Sequence, residues 1–201
     1  MEIEKGKLLV KTAREKILAH LSGKKYTLKS VPAEFKRKMG VFVTLETHPA
    51  RELRGCIGYP EPIFPLIDAI LDAAVSAATR DPRFPPVSAS EMEKITVEIT
   101  VLTPPKQIKV SSPAEYPKKI KLGRDGLIAE ASGFKGLLLP RVPVEWKWTV
   151  EEFLSHTCLK AGLPPDLWKS GKVALYSFQG ELFAEESPGG NIIKKNIKNN
   201  L

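Results

Sequence analysis

The sequence predicts an α+β fold: a two-lobed domain with a mixed or largely antiparallel sheet packed by helices, and a smaller β-rich lobe. Three observations predict it. Residues 3–21 carry apolar side chains three to four positions apart, the period of an amphipathic helix. Residues 95–102 alternate between apolar and polar side chains with period two, as a half-buried strand does. Between 105 and 148, short apolar runs are separated by glycine-containing turns.

The chain length fits this organisation. With 201 residues and 22.2 kDa, the chain can form one good core, or one domain with a smaller lobe. We assign about 1–104 and 149–201 to the larger lobe and about 105–148 to the smaller one. Two prolines, Pro104 and Pro105, end the strand before them and mark the passage into the smaller lobe.

Two helices are predicted in the first half of the chain. The first runs from about Ile3 to Leu21, and Gly23 follows as a stop signal. The second covers 66–78, where many alanines give high helix propensity and allow close contact with a sheet. The proline-rich segment 81–86 ends it, since proline cannot continue a helix.

Further elements are predicted in the second half. Thr149 and Glu152 form a capping box that opens a helix extending through Leu159. The C-terminal residues 194–200 are predicted to be a frayed tail. Short strands are predicted from apolar and β-branched runs at 120–122, 126–130, 136–139, 173–178 and 182–185.

A predicted hairpin carries the most informative motif of the chain. The apolar run 40–46 is followed by a polar turn and then by the returning strand Leu53-Arg54-Gly55-Cys56-Ile57-Gly58. Because side chains alternate along a strand, Arg54 and Cys56 are expected on the same face. Gly55 and Gly58 weaken a strand, and mark a bulge or a place where another backbone or a ligand approaches closely.

Cys56 has two interpretations at this stage. Free cysteine is often a small buried apolar residue, so simple packing accounts for it. Alternatively, the guanidinium of Arg54 favours the thiolate, and Cys56 is then a nucleophile or a ligand-contacting thiol. Exposure of the pair decides between the two.

Glu98, Asp81 and Arg83 complete the candidate polar set. Glu98 lies in the middle of an otherwise apolar strand, either on a solvated face or beside a ligand site, where it would orient Arg54 or act as a general base. Asp81 and Arg83 either end the preceding helix as a surface pair or contribute to ligand binding. We therefore predict that Arg54, Cys56 and Glu98 converge on one concave site.

Charge and composition limit the partners. Net charge is +8 and the pI about 9.4, but the lysines are dispersed, so nucleic-acid binding has only weak support. No run of about 18 apolar residues and no signal peptide is evident, which favours a cytoplasmic protein that does not enter a membrane. The histidines lack metal-ligand spacing, so no metal site is predicted, and no cofactor is indicated.

Several of these segments resemble the AMMECR domain family, named from a human chromosomal region linked to Alport syndrome and elliptocytosis. The resemblance covers nearly the whole chain, and the six-residue cysteine motif is its most specific part. It rests on Phe42-Val43-Thr44-Leu45, Leu53-Arg54-Gly55-Cys56-Ile57-Gly58, Asp81-Pro82-Arg83-Phe84, Gly123-Arg124-Asp125-Gly126-Leu127, Leu138-Leu139-Pro140, Phe153-Leu154 and Lys160-Ala161-Gly162-Leu163.

The resemblance implies a two-lobed α/β fold with the cysteine motif near a cleft between the lobes, but no defined reaction. It also implies a pathway shared with Memo-like and radical S-adenosylmethionine proteins, which often accompany prokaryotic relatives. Arg141 stands where many relatives carry glutamine; it either favours a more acidic ligand or is a neutral surface change.

The leading hypothesis is an enzyme or enzyme component that modifies a small molecule or a macromolecule. In it Cys56, Arg54 and Glu98 are catalytic, and Gly55, Gly58, Asp81, Arg83 and Arg141 bind the ligand. The alternative is a non-catalytic module that binds nucleic acid or protein.

Overall fold

The structure is a computed structural model that describes residues 1–28 and 30–195. Its described part divides into two compact units, the first formed by Met1–Leu102 and Glu181–Lys195, the second by Thr103–Gly180. Residues 149–180, which the sequence analysis places in the larger lobe, lie in the second unit. They do so because the helix at 150–160 packs on strands of that unit. That both lobes form one domain stays a prediction.

Helices and strands alternate irregularly along the described chain. The α-helices are α1 (Ile3–Leu21), α2 (Leu66–Thr79), α3 (Tyr116–Lys119), α4 (Val142–Glu145) and α5 (Val150–Lys160). The strands are β1 (Gly40–Thr47), β2 (Leu53–Tyr59), β3 (Ile95–Leu102), β4 (Lys106–Gln107), β5 (Asp125–Ala131), β6 (Phe134–Leu138), β7 (Ala174–Glu185) and β8 (Ile192–Lys195). Short 3-10 turns occupy Ala33–Lys36, Ser90–Lys94, Pro113–Glu115 and Leu167–Ser170.

In the first unit, antiparallel strands are ordered β2-β1-β3, with α1 and α2 packed on one face. The period-two pattern of β3 explains this arrangement. Its apolar residues Ile95, Val97, Ile99 and Val101 join the helices in the core, and the polar residues between them lie on the opposite face. The predicted α+β class and antiparallel pairing are confirmed.

The C-terminal segment differs from the prediction. Lys194 and Lys195 are not frayed but belong to β8, which pairs with the end of β7 through Phe183–Lys194 and Leu182–Lys195. Residues 196–200 of the predicted tail lie outside the described residues. The pairing was missed because a lysine-rich segment with two isoleucines has little strand signal of its own.

The second unit is built on antiparallel pairs of β5 with β6 and β7, and of β4 with β7. Helix α5 contacts β5 and β6 and closes an apolar core that contains Phe153, Leu154 and Cys158. The two predicted strands at 173–178 and 182–185 form one continuous strand, β7, because Gly180 is accommodated without a turn. The predicted strand at 120–122 is absent: Ile120 follows α3, and the next residues form a turn into β5.

Among the described residues, no helix is both long and apolar enough to cross a membrane.

Candidate functional site

Cys56 and Glu98 lie in one row across the first unit's sheet. The register pairs Cys56 with Thr44 on β1, and the same Thr44 pairs with Glu98 on β3. Directly opposed residues in a sheet share a face, so all three side chains lie on the polar face, away from α1 and α2. This row is the geometric centre of the candidate site.

The Cys56 thiol is half-buried and has a hydroxyl neighbour. Thr44 Oγ1 donates a hydrogen bond to Cys56 Sγ over 3.4 Å. A donor at this position stabilises sulfur that carries negative charge. Cys56 is therefore partly exposed and has a polar contact, whereas a packing cysteine would be fully buried without one.

Asp81 fixes the backbone at the cysteine. Its Oδ2 accepts a hydrogen bond from the Cys56 amide at 2.8 Å, although the side chain itself is buried. Because β2 lies at the edge of the sheet, this amide would otherwise lack a partner. Asp81 thus supplies the hydrogen-bond acceptor for the edge-strand amide of the residue that carries the thiol.

Arg83 is the cation in contact with the Cys56 residue. It donates to Asp81 through Nε at 3.0 Å and Nη2 at 2.8 Å, and its Nη2 also approaches the Cys56 carbonyl oxygen at 3.4 Å. The Arg83 hydrogen bonds hold the pKa of Asp81 well below its usual range; burial opposes this shift, and the Cys56 amide reinforces it. The same hydrogen bonds to Asp81 raise the pKa of Arg83.

Arg54 has other partners. Its Nε pairs with Glu91 Oε1 at 3.1 Å and its Nη1 donates to the Pro85 carbonyl at 2.9 Å. Arg54 is the extra residue at a bulge, where Glu46 pairs with Leu53 and Leu45 with Gly55. The alternation that predicts Arg54 beside the thiol is interrupted at this point. Its role as thiolate stabiliser stays a prediction, and Arg83 contacts the Cys56 carbonyl oxygen rather than the sulfur.

Glu98 is buried and paired rather than solvated. Its Oε2 accepts a hydrogen bond from Lys195 Nζ at 3.2 Å, and both side chains are about one-tenth exposed. This ion pair joins Glu98 to the C-terminal strand, and the orienting contact from Glu98 to Arg54 stays a prediction. Whether Glu98 acts as a base stays a prediction.

The two motif glycines mark close backbone approach. A Cβ on Gly55 would lie 2.1 Å from the Ala77 carbonyl oxygen of α2, and one on Gly58 would lie 2.3 Å from the Val41 carbonyl oxygen. Both positions therefore require glycine for packing of backbone against backbone. Their predicted contact with a ligand stays a prediction.

Arg141 belongs to the second unit. Its guanidinium pairs with Glu145 one helical turn later at 3.6 Å, and both side chains are exposed. This surface pair agrees with the neutral interpretation, and the ligand-binding role stays a prediction.

Sequence reasoning missed Thr44 and Lys195. Thr44 could have been found, since it is the one hydroxyl residue in the middle of an apolar strand and a hairpin brings it opposite the cysteine motif. Lys195 carried no such signal, because its position depends on the pairing of β8. Within the described ranges, no cluster of three or more histidine, cysteine, aspartate or glutamate side chains could hold a metal ion.

Comparisons with known proteins agree with the sequence resemblance. The AMMECR1 family model matches residues 10–183. Protein MJ0810 of Methanocaldococcus jannaschii is 54% identical over 197 residues, covering 98% of each chain. Protein MK0488 of Methanopyrus kandleri is 51% identical over 199 residues, covering 98% of this chain and 96% of its own. The crystal structure of uncharacterized protein PH0010 from Pyrococcus horikoshii is similar with a TM-score of 0.82 and 51% identity, covering 98% of both chains.

Proposed function

This chain belongs to the AMMECR1 family, and we propose that it is an enzyme or enzyme component in which Cys56 is the substrate-contacting thiol. The substrate is a small molecule or a macromolecule that the protein modifies. The observation that carries the proposal is the half-buried Cys56 thiol, which receives a hydrogen bond from Thr44 on a polar sheet face.

The thiol is held on a rigid support, as a reactive group requires. Cys56 is in the interior of β2, paired with β1 on one side and hydrogen-bonded to Asp81 on the other. Backbone contacts on both sides fix the position of the sulfur.

The neighbouring groups supply distinct roles. Thr44 supplies a hydrogen-bond donor for the sulfur. Arg83 supplies positive charge, and its side chain is 54% exposed, so part of the guanidinium can meet an anionic substrate group. Glu98, which lies in the same row as Cys56, forms an ion pair with Lys195 of β8. This ion pair can position a polar substrate group.

The pathway partners implied by the family resemblance belong to this proposal. A Memo-like protein and a radical S-adenosylmethionine protein would act before or after this chain, in a cytoplasm that keeps both thiols reduced. Their chemistry would supply the substrate of the Cys56 site or consume its product.

Alkylation of the folded protein tests whether the thiol is available. Iodoacetamide should modify Cys56 at least about ten times faster than Cys158, because Cys158 is fully buried and reacts only when the structure opens. Peptide mass spectrometry after timed quenching gives both rates within one sample. Equal rates would contradict a thiol that contacts substrate.

Intact-mass spectrometry of protein purified from its native cells tests whether the thiol holds a ligand. We expect a mass increment that is present in the wild-type protein and absent in Cys56→Ser. An increment that survives denaturation is covalently attached to sulfur, whereas one lost on denaturation is bound without a bond. Cys158→Ala is the matched control and should retain the increment. Equal spectra for wild type and Cys56→Ser would overturn the proposal.

A further inference from the structure

The lysines are dispersed along the chain, but the net charge of the first unit is not. Residues 1–39 contain 11 Lys and Arg against 4 Asp and Glu, a net charge of +7, whereas residues 40–102 contain 5 against 9, a net charge of −4. Residues 24–38, which we call the basic segment, contain six Lys and Arg and one Glu, a net charge of +5. Residues 103–180 also carry +5, but spread over a much longer stretch.

The cations of the basic segment lie on the surface. Those that the structure describes as exposed are Lys24, Lys25, Lys36, Arg37 and Lys38. None of these five forms an ion pair with another described residue. The single carboxylate of the segment, that of Glu34, is held by Lys5 Nζ of α1 at 2.9 Å. Because like charges repel, the fold gains no stability from this concentration of cations.

The carboxylates around the basic segment do not neutralise it. Residues 1–23, which include α1, contain five Lys and Arg against three Glu. Two of these glutamates, Glu2 and Glu4, pair with lysines of α1 itself. Glu181 lines the same cavity as Arg37 and is engaged by Lys194 Nζ at 2.6 Å. The positive charge of the segment therefore remains available to an external anion.

The basic segment runs back along α1. Near its start the Tyr26 hydroxyl donates a hydrogen bond to Glu15 at 3.2 Å, and near its end Glu34 pairs with Lys5. The ten residues from Lys5 to Glu15 rise about 15 Å along the helix. One strand of duplex DNA places about four phosphates over that distance. The exposed cations at the two ends of the segment can thus meet successive phosphates of one strand.

The surface of the segment is polar throughout its described part. The large apolar side chains that the described residues expose all lie outside residues 22–39, and Leu28, Val31 and Phe35 pack in or against the core instead. Protein interfaces are depleted in lysine and rely on aromatic and apolar contacts. Helices that lie on a membrane insert an apolar face. A phosphate backbone is bound by cations alone, so it fits this surface better than either alternative.

We propose that the basic segment binds the phosphate backbone of nucleic acid. The contacts are ionic and involve phosphates rather than base edges, so binding does not depend on base sequence. Affinity must then fall steeply as salt concentration rises, since each neutralised phosphate releases condensed counterions.

This inference does not rest on the Cys56 proposal. The thiol residue contacts Thr44, Asp81 and Arg83, none of which belongs to the basic segment. Cys56→Ser should therefore bind nucleic acid as the wild type does, and failure of either proposal can be recognised without the other.

Fluorescence anisotropy of a labelled duplex gives the test. The full chain is titrated into mixed-sequence DNA of about 20 base pairs, at salt concentrations from about 50 to 200 mM. The triple variant Lys36→Gln/Arg37→Gln/Lys38→Gln should bind at least about 10-fold more weakly at 0.1 M salt. It should also lower the slope of log affinity against log salt concentration by about 2 to 3.

A second variant tests the other end of the segment. Lys24→Gln/Lys25→Gln should lower the same slope by about 1 to 2. The two variants lie at opposite ends of the segment, so each tests the proposal by itself. Circular dichroism confirms that each variant folds.

Lys118→Gln/Lys119→Gln/Lys121→Gln is the matched control. It removes the same charge from three exposed lysines of the second unit and should bind as the wild type does. Equal weakening by the two triple variants would overturn the proposal, since net charge rather than the segment would then bind the duplex. Equally tight binding of poly-L-glutamate, or of vesicles containing phosphatidylserine, would also overturn it, because the segment would then recognise any polyanion or a membrane surface.

Discussion

The two cysteines of this chain lie in contrasting surroundings, one in each unit. Cys56 is half-buried on a strand edge with a hydroxyl, a carboxylate and a guanidinium around it. Cys158 lies on α5 with no exposed surface among apolar residues, and burial raises the pKa of its thiol. The same side chain is therefore a candidate reactive group in the first unit and a core residue in the second. Environment, not residue type, distinguishes them.

The two units also share one structural feature, a buried aspartate paired with a nearby arginine. Asp81 in the first unit and Asp125 in the second are both buried and paired with an arginine close in sequence. Each carboxylate also accepts a hydrogen bond from a backbone amide, Asp81 from that of Cys56 and Asp125 from that of Lys121. In the first unit this aspartate–arginine pair fixes the backbone of the candidate thiol, whereas in the second unit it closes a turn. The pair by itself therefore does not identify a functional site.

The largest expected effect comes from breaking the close approach of sheet and helix in each unit. Gly55→Ala places a methyl group 2.1 Å from the Ala77 carbonyl oxygen, and Gly136→Ala places one 2.2 Å from the Ala161 amide nitrogen. Backbone atoms cannot move aside cheaply, so each variant should lose about 3 kcal/mol or more of unfolding free energy. Urea denaturation measures the loss.

Gly133→Ala is the control for these glycine variants. Its Cβ would meet nothing within 4 Å, and only its φ of +81° opposes the change. We expect a loss of about 1 kcal/mol. If Gly55→Ala lost no more than this control, the packing account of the cysteine motif would be wrong.

The buried aspartates should give the next largest effect, and a pH dependence. Arg83 and the Cys56 amide lower the folded-state pKa of Asp81 against the effect of burial. For Asp125 burial likewise raises the pKa, but Arg124 and the Lys121 amide outweigh it and the net shift is downward. A lowered folded pKa stabilises the fold above the unfolded value of about 3.9, and this stability is lost as pH falls through the folded pKa.

Asp81→Asn and Asp125→Asn should each lose about 2–3 kcal/mol at neutral pH. Each variant should also lose less further stability than the wild type when the pH is lowered below about 4. Thermal melts from pH 7 to pH 2 measure both quantities. Asp166→Asn is a surface control with a 69% exposed side chain and should match the wild type at pH 7. If the stability of either buried variant fell with pH as steeply as that of the wild type, the aspartate would not be the source of the pH dependence.

Serine substitution sharpens the contrast between the cysteines. Cys158→Ser places a hydroxyl among apolar side chains and should cost about 1–2 kcal/mol, seen as a lower melting temperature. Cys56→Ser should change stability by less than about 0.5 kcal/mol, because a half-buried hydroxyl finds partners. A larger loss for Cys56→Ser than for Cys158→Ser would return Cys56 to a packing role.

Strand periodicity made the fold of the first unit predictable. The alternation of residues 95–102 correctly assigned the faces of β3, and the glycines of β2 correctly indicated close approach and a bulge. The same local rule does not extend through Arg54, since the bulge interrupts the alternation there, and the predicted placement of Arg54 beside the thiol stays a prediction. Lys195 and the continuous β7 depend on pairing between distant segments, which no local pattern contains.

The smallest expected effect tests the contact that most separates Cys56 from Cys158. Thr44→Val nearly conserves volume and removes only the hydroxyl that donates to Cys56 Sγ. A hydrogen bond to the sulfur worth about 0.5–1.5 kcal/mol corresponds to about a 2- to 10-fold slower alkylation by iodoacetamide, with little change in stability. Thr100→Val is the matched control, because Thr100 lies on the same polar face of β3 and pairs with Phe42 rather than with the cysteine row. It should alkylate at the wild-type rate. If both variants slowed alkylation equally, the effect would reflect the polarity of the face, and Thr44 would have no specific role at the thiol.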